Sequence, residues 1–314
     1  MRRVVALLGI PLLALSACAT PGAAPVRTPP TGPDQRPAFT ERAEEVAAGW
    51  RPGPGWRDGY VPLQEATVLT GDPGFTDETK VAFGAGWYRD QIPIPAAVPK
   101  DGTIRFPDGT LRVPLVSAAD AYAQLRQGDP PPCDGRPAAP DPAPTGRPGP
   151  NDPVSTSAPT PCVPLTVTGI RLGTAPVWTS RGRAEVPAWL FTVDELAVPV
   201  ARVAVAPRVT GRVPGGAVPG TPLPAGLVSA QELRAVDGNR IDYVLGVGAC
   251  DGPPTPLVLE RPDVVVIGGA VIASTGTCTA QLVLKPVSVT LDAPLGGRAV
   301  LDAASGAPLT VRPG

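Results

Sequence analysis

The chain's 314 residues and 43% hydrophobic content are enough to bury a core, which excludes a short peptide and a wholly disordered chain. Its 45 prolines and 36 glycines, about a quarter of all residues, exceed ordinary globular usage and require part of the chain to be linker. With 27 basic and 28 acidic residues, it has no surplus of cations for phosphates, so nucleic acid is not an expected partner.

The first element is MRRVVALLGIPLLALSAC, with two arginines, an apolar run over residues 4–15 and small residues before a cysteine. These are the three parts of a secretory signal peptide. The run falls short of the roughly 20 apolar residues a membrane-spanning helix needs, and Pro11 interrupts it. Leu15, Ser16, Ala17 and Cys18 resemble the lipobox of bacterial lipoprotein signal peptides. That resemblance implies removal of residues 1–17, a diacylglyceryl thioether on Cys18 and further acylation of the kind exemplified by palmitate. It places the protein on the outer, extracytoplasmic face of the cell membrane. Two or three acyl chains make such attachment effectively permanent. The net charge of −1 then becomes two units more negative, because Arg2 and Arg3 leave with the peptide.

Residues 18–37 are rich in proline and small side chains and lack apolar periodicity, so they read as a flexible stalk. A β-rich lobe is expected over residues 38–206. Within it, TERAEEVAAGW predicts a helix beginning at Thr40 with Glu44 near the capping-box position. SAADAYAQLRQG predicts another, from Ser117 to Gly128. Nine of the 14 aromatic residues fall between Phe39 and Phe106, Trp50, Trp56, Tyr60, Trp87 and Tyr88 among them. They suit the core of a Pro/Gly-rich lobe or, alternatively, a stacking platform for an envelope glycan. Asp72, Asp77 and Glu78 could offer oxygens to calcium, yet their spacing is not that of an EF-hand, and turn residues are the plainer reading. GTIRFPDGTLRVPLV predicts a hairpin turning at Pro107, Asp108 and Gly109.

Residues 134–161 hold almost no large apolar side chain and read as a disordered loop stapled at its base. PLTVTGIRLG, RAEVPAWLFTV and VPVARVAVAP follow as short β-rich runs spaced as in a sandwich or barrel. Pro187 and Pro199 within them suggest edge strands or bulges. Residues 207–226 are a Pro/Gly linker to a second β-rich lobe, residues 227–314. There SAQELRAV suggests a helical turn from Ser229. LRAVDGNRIDYVLGVG predicts a hairpin around Asp237, Gly238 and Asn239, and VVVIGGAVIA predicts another around Gly268 and Gly269. The last run fails as a dinucleotide fingerprint, because Ala270 occupies the second glycine position and no helix follows.

Four cysteines remain beside Cys18: Cys133, Cys162, Cys250 and Cys278. An even number in an oxidising compartment favours two disulfides with three pairings open, and sequence order favours Cys133 with Cys162 and Cys250 with Cys278. Each such bridge would contribute about 3 to 4 kcal/mol. The expected fold class is therefore mainly β, with sandwich or barrel-like lobes, a few short helices and two disulfides.

Histidine is absent, which removes the Ser-His-Asp and Cys-His mechanisms and imidazole metal sites. No GxSxG elbow, SxxK dyad, P-loop or HExxH occurs. No catalytic residue, metal or cofactor is assigned. The segment from GACDG through VVVIGG to VTLDAPLGGRAVLDAASGAPL resembles the C-terminal part of uncharacterised lipoproteins of high-GC Gram-positive bacteria, a resemblance that implies a compartment and no activity. The expectation is a non-catalytic binding protein whose partner, besides the membrane, is a cell-wall polymer or another exported protein. A solute-binding lipoprotein of a transporter is the alternative, and a carboxylate hydrolase a more distant one.

Overall fold

The computed structural model describes residues 34–128, 163–216 and 219–312. The chain falls into two units, Met1–Asp34 and Gln35–Gly314, and every described residue except Asp34 belongs to the second. Cys18, Cys133, Cys162 and the loop over residues 134–161 lie outside the described residues. The fold is mainly β, in three sheets, and none of these closes into a barrel among the described residues.

The first sheet grows from two hairpins. β3 (Gly102–Phe106) and β4 (Gly109–Val113) turn at Pro107 and Asp108, as their turn residues require. β5 (Leu165–Thr179) and β6 (Gly182–Val193) form a longer pair turning at Ser180 and Arg181. β7 (Val200–Val203) and β1 (Thr67–Leu69) extend the order to β1-β7-β6-β3-β4, while β2 (Tyr88–Asp90) lies parallel on the free side of β5. Ile104, Leu165, Val167, Val186, Phe191 and Val200 form the core beneath it.

β6 is interior, so Pro187 does not mark an edge. Its carbonyl accepts from Ala204 N at 2.8 Å, just past the last β6–β7 register pair, Ala188 with Val203. The nitrogen of the same residue faces the same side, where β7 has ended, and no ladder bond is lost.

Two more sheets stack in the C-terminal part. β9 (Ala230–Asp237), β10 (Arg240–Gly248) and β13 (Leu282–Thr290) run in the order β13-β10-β9. β11 (Thr255–Glu260), β12 (Val264–Ala270) and β14 (Ala299–Asp302) run in the order β11-β12-β14, with β8 (Leu227–Val228) also on β12. β12 alternates between two cores. Val265 and Ile267 pack with Ile241, Tyr243 and Leu245 from the neighbouring sheet. Val264 and Val266 pack with Phe39, Val46 and Trp50 from α1 (Arg36–Gly49). A strand covered on both faces reads as a continuous apolar run, which is why VVVI shows no alternation.

Four local expectations change. Gly268 and Gly269 do not form a turn; β12 runs straight through them, pairing Gly268 with Leu257 and Gly269 with Leu257's neighbour Pro256. Their missing side chains admit close neighbours instead, for a Cβ at Gly269 would lie 2.3 Å from Leu245 Cδ1. Residues from Ala230 onward are strand β9 rather than a helical turn, because Ala230 and Leu233 are pinned inward by the pairing with β10. The first helix starts at Arg36, not Thr40, with Pro37 in its first turn, a position where no amide hydrogen is needed. Asp77 and Glu78 open a helix, α2 (Asp77–Ala85), that Thr76 caps through a reciprocal bond with Thr79, and Asp72 makes a turn to Gly74 N. α3 (Ala118–Leu125) does begin after Ser117, whose hydroxyl accepts from Asp120 N at 3.0 Å.

The C-terminal residues knit these pieces together. Leu309 N donates to Val300 O, Leu233 N to Thr310 O, and Val311 N to Leu63 O at 2.7 Å. Leu63 in turn donates to Trp178 O, so backbone bonds run from β5 through residues 63 and 311 to β9. Arg42 of α1 supports the same region. It is 4% exposed and donates to Ala303 O, Ala304 O and Thr221 O.

Candidate functional site

A cleft of about 570 Å³ opens where turns from both parts of the unit meet. Loops are the usual carriers of binding residues on a sheet scaffold. α1 ends at Trp50, and the following loop adds Pro52, Trp56 and Arg57. The β3–β4 turn contributes Pro107 and Asp108, and the β5–β6 turn Ser180 and Arg181. Pro262 and Asp263 come from between β11 and β12, and Gly296, Gly297 and Arg298 precede β14.

Two of its arginines are held rigidly. The Arg181 guanidinium meets both oxygens of Asp108, at 2.8 Å from Nη2 and 3.0 Å from Nε, and lies 3.9 Å from the centre of the Phe106 ring. This bidentate and stacked geometry suits arginine and not lysine. The hydrogen bonds from Arg181 hold the Asp108 carboxyl below the usual carboxylate range. Arg298 donates to Glu260 at 2.8 Å and to the carbonyls of Ala293 and Pro294. Burial pushes the Glu260 carboxyl up, but bonds from Arg298 and Asp292 N outweigh it and hold that group low as well. Arg57 and Asp263 are both exposed, and neither makes a side-chain ion pair among the described residues.

Trp50 and Trp56 pack edge to face, 5.3 Å between ring centres and 76° between planes. Ser180 Oγ donates to Trp56 O at 2.6 Å, which fixes the loop against the β5–β6 turn. Both rings are nearly buried, as are Tyr60 and Tyr88. Trp50, Trp56, Tyr60 and Tyr88 are therefore core, Trp87 is half-buried against the core of the first sheet, and of the five only the borders of Trp50 and Trp56 reach the cleft. The arrangement offers an apolar wall, fixed guanidinium and carboxylate edges, and one free charge of each sign. Such a site can donate and accept hydrogen bonds to a neutral or zwitterionic polar ligand.

Cys250 and Cys278 are joined, with an S–S distance of 2.06 Å and Cα atoms 6.0 Å apart. Among the described residues no three His, Cys, Asp or Glu side chains gather as metal ligands, and Asp72, Asp77 and Glu78 serve a turn and a helix start. No described helix is long and apolar enough to cross a membrane. Sequence reasoning named the hairpin turns that hold Asp108, but not Arg181, Asp263 or Arg298. Nothing in their local sequence says that three turns so far apart converge. No protein-family model, curated protein or solved structure matches the chain.

Proposed function

We propose that this protein is a lipid-anchored extracytoplasmic binding protein that holds a polar ligand of the cell envelope, such as a wall glycan, in the cleft between Trp50, Arg57, Asp108, Arg181 and Asp263. The sequence of Leu15–Cys18 supports the anchor. The observation that carries the binding reading is the set of pre-positioned planar groups, Arg181 on Asp108 and Arg298 on Glu260, beside an apolar wall. Groups already held in place lose little freedom when they engage a ligand. Asp108 is a poor candidate for a general acid, since its neighbour favours the ionised form and such acids need a raised pKa.

Intact mass of protein from the native membrane fraction, beside a Cys18→Ala variant, tests the anchor. Added acyl mass on residue 18 and release of the variant support it, and an unmodified soluble chain overturns it. Co-sedimentation with purified cell-wall glycan tests the cleft. An Arg57→Ala, Asp263→Asn double variant touches only exposed, unpaired side chains, and it should weaken retention about tenfold, or ~1.4 kcal/mol. Unchanged retention would remove the cleft from the account.

A further inference from the structure

The end of the folded unit opposite the cleft carries an exposed apolar surface beside Asp251, whose carboxylate accepts from Gly248 N and Ser274 N. Ile272, Leu282 and Leu284 are 47%, 64% and 46% exposed, and no charged residue occurs between Asp263 and Lys285. On β13, Val283, Val287 and Val289 face the core, so Leu282 and Leu284 occupy the outward positions where a solvated strand carries polar side chains. Their partners across the ladder on β10 are Gly248 and Gly246; Leu282 lies over Gly246 beside Gln231, and Asp251 lies over Gly248. Ile272 joins this end through Gly252, whose amide donates to Ile272 O at 3.0 Å, next to the bridge from Cys250 to Cys278.

The chain enters the folded unit at the same end. Gln35 and Val271 flank Gly226: a Cβ there would lie 2.8 Å from Gln35 Nε2, and Val271 N donates to Gly226 O at 2.8 Å. Gln35 is thus one residue in the chain from Asp34, and its neighbour Val271 is one residue from exposed Ile272. From here α1 runs antiparallel to β12. Phe39, near its start, packs at Gly268, Glu44 pairs with Arg261, and Trp50, at its end, reaches Pro262 and Asp263 in the cleft. The 14 residues of α1 separate the two ends by roughly 20 Å.

We infer that Ile272, Leu282 and Leu284 seat this unit on the lipid surface and so hold the cleft facing away from it. The inference rests on the lipid anchor at Cys18, since only residues 19–34 lie between that cysteine and Gln35. Tethering keeps the apolar end at high local concentration beside the bilayer, so a small contact suffices. Outward leucines lower their free energy by leaving water for the acyl boundary.

The test uses acylated full-length protein in vesicles of phosphatidylglycerol and phosphatidylcholine, followed by amide hydrogen exchange over residues 272–284. Vesicles should slow exchange there by roughly tenfold, and a Leu282→Ser, Leu284→Ser variant should lose that slowing while still floating with the vesicles through its lipid. Should the double variant unfold at lower urea, Leu282→Ser alone makes the same comparison. Exchange that ignores the vesicles while the protein floats overturns the seating and leaves the anchor standing. Slowing that depends on protein concentration without vesicles makes the patch a self-association surface and also overturns it. A chain without acyl mass that does not float removes the anchor, and the seating with it.

Discussion

Two buried polar side chains have opposite consequences. Arg42 is satisfied by three carbonyls on segments far apart in sequence, and truncating it strands those acceptors. Charged hydrogen bonds contribute about 1.5 to 3 kcal/mol each, so Arg42→Ala should lower unfolding free energy by about 3 kcal/mol in urea titration. Arg42→Lys should recover little, because one ammonium cannot span sites that a planar fork reaches. Tyr88 is the reverse case. Its hydroxyl is buried without a hydrogen-bond partner, and burial holds its pKa above the usual value. Removing an unpaired buried hydroxyl relieves a desolvation cost of about 1 to 3 kcal/mol. Tyr88→Phe is therefore expected to raise stability, and a fall in the urea midpoint would mean that the hydroxyl has a partner in solution.

At the scale of elements, those with local signals were the ones the sequence revealed. Ser117 capping α3, the Pro107–Asp108 turn and the Gly238–Asn239 turn are all set by residues within four positions, with Gly238 at φ +57°. Elements whose reasons lie elsewhere were misread. The glycines of β12 look like a turn until Leu245 and Phe39 are seen to occupy their space, and β9 looks helical until β10 pairs with it. The C-terminal residues have no local signature at all, yet they bond to Val300, Leu233 and Leu63. A chain ending at Ala307 should lose cooperative unfolding by circular dichroism, since the edge of β9 and the carbonyl of Leu63 would both lose partners. If its melting midpoint matched that of the full chain, the strap would be ornamental.

The pH response belongs to the whole molecule. Asp108, Asp242 and Glu260 all have folded pKa values below the usual range: Asp108 through Arg181, Asp242 through Ser288 and then Arg240, and Glu260 through Arg298 against an opposing effect of burial. Their unfolded values lie near about 4. The unfolded chain therefore binds more protons in acid, and the stability they contribute is present above about pH 5 and lost as pH falls through the folded values. With no histidine in the chain, no side chain of unperturbed pKa titrates between about pH 5 and 8. Urea midpoints should be flat across that interval and fall below it, and Asp108→Asn should make the acid limb shallower. A marked slope near pH 6.5 would point to a perturbed group that these pairs do not include.

The sequence by itself determined what depends on composition and short-range chemistry: the absence of histidine, a mainly β chain and turns such as those of the β3–β4 and β9–β10 hairpins. Each follows from residues a few positions apart. Tertiary structure alone decided the rest. It placed α1 on the C-terminal sheet, because Val264 and Val266 need an apolar cover, to which Phe39, Val46 and Trp50 contribute. It also brought Asp108, Arg181, Asp263 and Arg298 around one cleft. That convergence depends on how the first sheet packs beside the β11-β12-β14 sheet, which is set by the summed burial of many side chains and written in no single segment.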